Sequence, residues 1–211
     1  MAQPSLTIGS GKGVSSSWWA ARSAGGVLAL RAAARGVRID KLALYEPPFI
    51  LDERGPRPPA DFELWLKELV ASDRRGDAVK FFMTKGMGAP ALFVAMMRFR
   101  PVWSRLKALA HTLPYDYAVM GDTVAGKPLS AEQWASVTAP TLVVVGEKTF
   151  ARARRAGRAL ADVLVNADYR LLEGQNSKVS MKALAPVLEE FFMSHGDARS
   201  VDEPSRVEVG R

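Results

Sequence analysis

Two hydrophobic spacings recur along the chain, and they predict short strands separated by helices. Short apolar runs at residues 39–45, 140–146 and 169–172 predict buried strands, the second being β-branched and bounded by proline and glycine. Alanine-rich residues 24–35 precede a glycine suited to a helix C-cap, and residues 151–164 keep their small apolar side chains on one side. A last helix is predicted from Leu184, Val187, Leu188, Phe191 and Phe192.

Residues 60–112 contain helical spacing without an intervening strand. Apolar residues recur there at intervals of three and four, which is the spacing of one helical face. Four helices are predicted from these stripes: Phe62, Trp65, Leu66, Leu69 and Val70; Val79, Phe82 and Met83; Leu92, Phe93, Met96 and Met97; and Val102, Leu106 and Leu109. The chain therefore reads as strands alternating with helices, interrupted by a helical insertion. That order predicts an α/β fold with a mainly parallel sheet flanked by helices.

Composition narrows the class of protein. The chain has 211 residues, enough for one domain, and no cysteine, so disulfides and thiolate metal sites are excluded and a cytoplasmic location is expected. No apolar run reaches the length of a membrane helix, and no signal peptide is recognisable. The net charge of +7 comes mainly from arginine; solvated helix faces explain it better than nucleic-acid binding, and no membrane partner is expected.

Residues 21–25 read Ala-Arg-Ser-Ala-Gly, directly before the first predicted helix. A sharp strand-to-helix turn that presents a serine requires small neighbours, because its backbone is strained and the helix crosses closely. Together with Leu-Ala-Leu-Tyr-Glu-Pro-Pro-Phe at residues 42–49, this segment resembles the second half of an α/β-hydrolase. In that family the serine of G-x-S-x-G is the nucleophile. Here Ala21 and Arg22 replace the first glycine and the usual histidine.

The resemblance implies a partial α/β-hydrolase fold over residues 21–194, with cap helices at about residues 58–113. The family's early strands are expected to be missing. Residues 1–20 are expected to be a flexible or non-family segment, from a shifted reading frame or a misplaced start, and residues 195–211 a disordered tail. An unpaired sheet edge beside Ser23 would favour homo-oligomers.

By motif position, the resemblance makes Ser23 the nucleophile and the Ala24 N–H one oxyanion donor. The second donor normally follows a strand that this chain does not show. The family's histidine stands in a G-x-x-H setting after the last strand, where this sequence has Ser177. The histidines present, His111 in a predicted cap helix and His195 in the tail, are interpreted as structural or exposed.

The acid partner is left open between two carboxylates, Glu147 and Asp122, and either can equally be an ordinary loop residue. No metal or cofactor is predicted. The cap is expected to supply an apolar acyl pocket for a small carbonyl substrate, or its residues simply hold the cap helices together. The residues concerned are Trp65, Phe82, Met96, Met97 and Trp103.

The function implied by the resemblance is hydrolysis of a small ester or similar carbonyl substrate through Ser23. Loss of the histidine alone lowers the turnover of a serine protease by a factor on the order of a million. Activity is therefore expected to be weak or absent. The alternative is a non-catalytic protein that binds a small molecule or a partner on a degenerate hydrolase fold.

Overall fold

A five-stranded sheet organises the protein in a computed structural model, which describes residues 6–7, 17–51 and 57–194. The strands lie in the sheet in chain order: β1 (Leu6–Thr7), β2 (Trp18–Arg22), β3 (Lys41–Tyr45), β4 (Thr141–Gly146) and β5 (Ala167–Leu172). Strands β2 to β5 are parallel, and β1 pairs antiparallel with β2. The predicted α/β class with a mainly parallel sheet is confirmed.

Strand β2 forms where local sequence propensity offers little support for a strand. Residues 15–20 carry three serines, which suit a buried parallel strand poorly. Nevertheless Trp18 pairs with Lys41 and Arg22 with Tyr45, so tertiary pairing overrides local propensity. The expected boundary between residues 20 and 21 thus falls inside a strand, and at residues 18–20 the expectation of a flexible segment is wrong. The remainder of that expectation concerns residues 1–16, of which only Leu6–Thr7 are described, and the expected tail at 195–211 lies outside the described residues.

Helices cover both faces of the sheet. The helices of the described residues are α1 (Ala24–Ala34), α2 (Phe62–Ala71), α3 (Arg75–Phe81), α4 (Ala91–Met97), α5 (Val102–Ala108), α6 (Leu113–Met120), α7 (Ala131–Trp134), α8 (Ala151–Val163) and α9 (Met181–Met193). On one face, α1, α7 and α8 bury Leu30, Trp134 and Leu160 against alternate residues of β3 and β4. On the other, α9 buries Leu184 and Phe192. Because side chains alternate across a strand, both faces of β4 are buried, as its unbroken apolar sequence predicts.

The predicted helical insertion lies between β3 and β4 and has an apolar core of its own, separate from the two sheet cores. That core contains Phe62, Leu66, Ala78, Val79, Val94, Trp103 and Ala110. The insertion continues through α6, beyond the end expected near residue 113, because Leu113 and Tyr117 pack against its core. A five-residue π-helical turn, Phe82–Gly86, follows α3.

Most of the predicted apolar face of α4 is exposed to solvent instead of packing in the core of the insertion. Helix α4 buries Val94, whereas Leu92, Phe93 and Met96 are exposed and only Met97 packs against the core. The helix has seven residues, so the single turn that packs determines its face. Phe99, which follows it, is 91% exposed. The insertion therefore presents an apolar surface among the described residues.

Candidate active site

Ser23 occupies a sharp turn between β2 and α1. Its backbone has φ 52° and ψ −135°, a combination that residues with a Cβ rarely adopt. The turn is held in place because the Ser23 N–H donates to the Tyr45 carbonyl at 3.2 Å and the Gly26 N–H donates to the Ser23 carbonyl at 2.9 Å. The side chain is exposed and does not cap the helix. The sequence prediction of a strained turn that presents this serine thus agrees with the geometry.

Small residues after Ser23 let α1 approach the sheet. A Cβ on Gly26 would lie 3.4 Å from Leu44 Cδ2 and 3.7 Å from Pro47 Cβ, so a larger side chain would push the helix away from β3. The first N–H groups of a helix have no acceptor within it, and Ala24 is the first residue of α1. No acidic side chain lies in that first turn. The positive end of the helix dipole therefore lies beside the serine without a neutralising carboxylate from the helix itself.

The loop after β5 meets the Ser23 turn through Arg22. The Arg22 guanidinium donates to the Ser177 carbonyl, and the Ser177 hydroxyl lies 3.2 Å from the hydroxyl of Thr149, in the loop after β4. The structure thus brings together the predicted nucleophile turn and the loop after β5, residues 173–180. The family's histidine is expected in this loop, and we call it the base loop. A serine hydroxyl cannot accept a proton near neutral pH as an imidazole does.

Tyr45 joins these two parts of the site. Its carbonyl accepts the Ser23 N–H, and its hydroxyl donates to the Asn176 carbonyl at 2.8 Å. Burial and the negative charge of Glu46 raise the pKa of Tyr45 to about 12, with the Arg22 guanidinium acting in the opposite direction. Tyr45 is therefore a neutral hydrogen-bond donor over the physiological range, and it fixes the base loop to the end of β3.

Gly146, the last residue of β4, allows the loop after β5 to lie directly on the strand. A Cβ there would stand 2.6 Å from the Gln175 carbonyl oxygen and 2.9 Å from the Tyr45 hydroxyl. The neighbouring Lys148 N–H donates to the same Gln175 carbonyl at 2.8 Å. Only glycine fits at position 146 without moving the backbone of this loop.

Both carboxylates that the sequence offered as the acid partner have other contacts. Glu147 accepts the Gly174 N–H at 2.8 Å and closes the turn after β5. Asp122 lies 2.5 Å from the Arg31 guanidinium and 3.0 Å from Gln133 Nε2. Partial burial raises the pKa of Asp122, but the hydrogen bonds and charge of Arg31, with Gln133, outweigh it and hold the pKa below its usual value. Each carboxylate thus has a structural task.

A third carboxylate at the site, Glu46, is not among the acid partners that the sequence analysis predicts. It follows β3 directly and has φ 46°, and its Oε1 accepts the Gly146 N–H at 3.2 Å. The available signal was its position, between the end of a predicted buried strand and two prolines. Carboxyl ends of adjacent parallel strands share one edge of a sheet, so this position places Glu46 on the same edge as Ser23.

The histidines and the predicted pocket residues lie in other settings. His111 is exposed in the insertion, with its Nδ1 3.0 Å from the Ala108 carbonyl, and His195 lies outside the described residues. Phe82, Met97 and Trp103 pack in the core of the insertion. Their contacts fit the alternative that they hold its helices together. Trp65 and Met96 are exposed, and Trp65 donates to Asp61 at 2.5 Å.

The arginines of α8 make local contacts. Arg154 donates to the carbonyls of Glu147 and Thr149, Arg152 donates to the Met87 carbonyl, and Arg158 lies over the Tyr169 ring at 4.3 Å. Over the part of the chain that the structure describes, no group of three acidic or histidine side chains could hold a metal ion, and no helix is long and apolar enough to cross a membrane.

Comparisons with known proteins relate the chain to solved α/β-hydrolases. The chain is similar to the crystal structure of an α/β-hydrolase from Sphaerobacter thermophilus DSM 20745, with 44% sequence identity and a TM-score of 0.74, over 84% of this chain and 67% of that one. It is also similar in fold to MGS-M2, an α/β-hydrolase enzyme from a Medee basin deep-sea metagenome library, with 13% identity and a TM-score of 0.52, over 87% of this chain and 67% of that one. No protein-family model and no curated protein matches the chain.

The chain therefore belongs to the α/β-hydrolase family. It spans about two thirds of the length of these two solved relatives.

Proposed function

We propose that this protein is an α/β-hydrolase that has kept the nucleophile turn of a serine esterase and lost the base, so that it hydrolyses small esters weakly or not at all. The observation that carries the proposal is the contact between the strained Ser23 turn and a loop that has Ser177 at the position of the family's histidine. Strain of this kind persists where the surrounding structure enforces it, and it favours presentation of a reactive group. The Ser177 hydroxyl cannot supply the missing proton acceptor.

In the proposed reaction the Ser23 Oγ attacks the carbonyl carbon of an ester, and the hydroxyl proton leaves to solvent water because position 177, where the family's histidine is expected, carries a serine. The carbonyl oxygen becomes an oxyanion, and the Ala24 N–H at the positive end of α1 stabilises it. Expulsion of the alkoxide, which takes a proton from water to become the alcohol, gives an acyl-serine. A second water then hydrolyses the acyl-serine to the acid and free Ser23. Without the base, both steps are slower by a factor on the order of a million.

The test is hydrolysis of p-nitrophenyl acetate and butyrate by the protein and three variants. The unaltered chain is expected to match Ser23→Ala within about tenfold, since little base-assisted chemistry remains to be lost. Ser177→His is expected to raise the rate at least about a hundredfold, the usual contribution of general base catalysis, and Ser23→Ala should abolish that gain. Lys178→His is the matched control, because it places an imidazole on the exposed neighbouring residue.

Two results would contradict the proposal. Rapid turnover by the unaltered chain that disappears in Ser23→Ala would show an active enzyme that uses another base. A folded Ser177→His variant no faster than Lys178→His would show that Ser23 does not act as the nucleophile.

A second candidate function is non-catalytic binding of a small apolar carbonyl compound or of a partner chain. The exposed Leu92, Phe93, Met96 and Phe99 favour it, because contiguous exposed apolar side chains often mark interaction sites. The edge beside Ser23 is not unpaired as the sequence analysis expects, because β1 pairs with β2 at Trp19 and Ala20. A second copy as partner would therefore pair with β1, the outermost strand on this side of the sheet. Size-exclusion chromatography tests for a partner copy, and the melting temperature with and without a nonhydrolysable apolar ketone tests for ligand binding. A monomer whose melting temperature the ketone does not change excludes this function.

A further inference from the structure

A second residue with a strained backbone lies at the same edge of the sheet as Ser23. Among the described residues, three that are not glycine have positive φ: Ser23, Glu46 and Asp73. The first two follow adjacent parallel strands, β2 and β3, and so lie at the same edge of the sheet. Asp73 belongs to the exposed turn after α2, and its carboxylate pairs with Arg75 at 2.7 Å. A left-handed residue after a helix is common, whereas a left-handed glutamate after a buried strand calls for an explanation.

The sequence context makes the conformation of Glu46 costly. Its successor is Pro47, and the residue before a proline is restricted to extended backbone by clashes with the ring. Glycine would relieve the positive φ, yet this chain has a glutamate there. The Glu46 N–H still donates to the Val144 carbonyl at 3.0 Å, so the strained residue is fixed to β4.

The Glu46 carboxylate contacts the end of β4, on which the loop after β5 rests. Its Oε1 accepts the N–H of Gly146, the residue on which the Gln175 carbonyl rests. Tyr45, the preceding residue, donates its hydroxyl to Asn176, the neighbour of Ser177. Thus one hydrogen-bonded cluster holds the carboxylate, the end of β4 and the loop that carries position 177. Glu147 also contacts this loop, through the Gly174 N–H, so it is the carboxylate with which Glu46 has to be compared. Asp122 pairs with Arg31.

We infer that Glu46 is the carboxylate of this site, a positioning residue for an imidazole at position 177. The described residues then supply the nucleophile and the carboxylate at this edge of the sheet, and a serine stands at the position of the base. This inference rests on the proposed function, since it assigns a partner to the base that the function lacks. It also gives a reason for a strained glutamate at a position where glycine would adopt the same backbone conformation without strain.

The test measures the pKa of an introduced imidazole, because a carboxylate nearby favours the imidazolium form and raises its pKa. Three variants are compared by proton NMR titration: Ser177→His, Glu46→Gln/Ser177→His and Glu147→Gln/Ser177→His. Only two native histidines add signals, and Lys178→His with the unaltered chain assigns them. Arg22, Glu173, Lys148 and Lys178 also surround the loop, but they are the same in all three variants. Differences between variants therefore report the two carboxylates.

The expected result is a pKa about one unit lower in Glu46→Gln/Ser177→His than in Ser177→His, with little change in the Glu147→Gln variant. Glutamine keeps an oxygen for the Gly146 N–H, and tryptophan fluorescence verifies that each variant is folded. Equal pKa values with and without Glu46, or a larger fall on loss of Glu147, would overturn the inference. If Glu46→Gln unfolds the chain, Glu46→Asp replaces it, and a pKa that this shorter carboxylate leaves unchanged from Ser177→His would count against the positioning role.

Ester hydrolysis separates this inference from the proposed function. A lowered pKa in Glu46→Gln/Ser177→His together with an inactive Ser177→His would leave Glu46 assigned and reject Ser23 as the nucleophile. An active Ser177→His with a pKa insensitive to Glu46 would do the reverse. If both hold, Glu46→Gln should lower kcat of Ser177→His about tenfold or more with little change in KM, because the carboxylate orients the base without touching the ester.

Discussion

The Ser23 turn and the Ser177 loop lie side by side at one edge of the sheet, yet they are constructed differently. At Ser23 the backbone itself is strained, and the conformation follows from the strand, the helix and the small residues between them. At Ser177 the loop is held by its neighbours, through Arg22, Tyr45 and Thr149. The chemistry at Ser23 depends on backbone geometry, whereas at Ser177 it depends on the identity of one side chain.

The difference teaches that a site's framework and its chemistry can be lost separately. The contacts that hold the Ser177 loop come mainly from backbone carbonyls, which any side chain at that position would leave in place. Under the proposed function, a serine in place of an imidazole therefore removes the base without disturbing the loop. We expect substitutions at this edge to divide into those that break the framework and those that change only chemistry.

The largest effect is expected from Gly146→Ala, which breaks the framework under the Ser177 loop. The new Cβ would meet the Gln175 carbonyl oxygen at 2.6 Å and the Tyr45 hydroxyl at 2.9 Å, so backbone must move. Overpacking of this kind lowers the free energy of unfolding by about 3 kcal/mol. Urea unfolding followed by tryptophan fluorescence measures the loss.

Gly174→Ala is the control for Gly146→Ala, since Gly174 lies in the loop after β5 that rests on Gly146. Gly174 has φ +66°, and a Cβ there would meet nothing within 4 Å, so only the backbone conformation resists the change. The expected cost is about 1 kcal/mol. Equal losses at the two positions would mean that the close approach at Gly146 is not what holds the loop.

The next effect concerns Tyr45, which joins the two halves of the site. Its pKa is raised to about 12 in the folded protein from 10.0, so its contribution is full below pH 10 and is lost as the pH rises from 10 to about 12. That loss amounts to about 2 kcal/mol, and Tyr45→Phe should remove it while costing about 1 kcal/mol at neutral pH. Unfolding midpoints measured from pH 8 to 12 test the slope.

Tyr115→Phe is the matched control, because Tyr115 is 72% exposed. It should follow the alkaline profile of the unaltered protein. If Tyr45→Phe follows that profile as well, the Tyr45 hydroxyl does not fix the base loop.

Much of the fold was predictable, because periodicity reports which side chains are buried. The run at 140–146 gave β4 within one residue, and Gly36, with φ +85°, follows the end of α1 as a helix C-cap glycine should. Strand β2 was obscured because its pairing with β3, rather than its serine-rich approach, determines it. The prediction of which face of α4 is buried was wrong, because a short helix with apolar residues on several sides has no unique buried face.

The candidate site was predictable only where a motif fixes the backbone. The spacing of small residues around Ser23 identified the turn, and the resemblance identified Ser177 as the base position. Glu46 was missed because its importance depends on a positive φ and on a hydrogen bond to a strand a hundred residues away in the chain. Neither leaves a periodic signal in the sequence. The two candidates that the sequence offers, Glu147 and Asp122, depend on position along the chain, which does not report where a carboxylate points.

A smaller effect, of opposite sign, is expected at the nucleophile turn. Ser23→Gly should raise the free energy of unfolding by about 1 kcal/mol, because glycine adopts φ 52° and ψ −135° without a Cβ clash. Ser23→Ala keeps the Cβ and should leave stability unchanged. Thermal unfolding of the two variants under identical conditions separates strain from loss of the hydroxyl; an equal gain in both would mean that the backbone at Ser23 is not strained.

The smallest effect is expected at the far end of α1, where Arg31 joins the helix that starts at Ser23 to the insertion. Arg31 donates to the Val119 and Met120 carbonyls and pairs with Asp122, whose side chain is 58% exposed. The pKa of Asp122 is lowered, so its contribution is present above pH 3.8 and is lost as the pH falls through the lower folded value. Asp122→Asn should cost about 0.5 kcal/mol at pH 7 and nothing at about pH 2. Glu132→Gln, an exposed change on α7, is the control. A loss at pH 7 several times larger would mean that the Ser23 turn depends on this distant contact as well as on its own backbone.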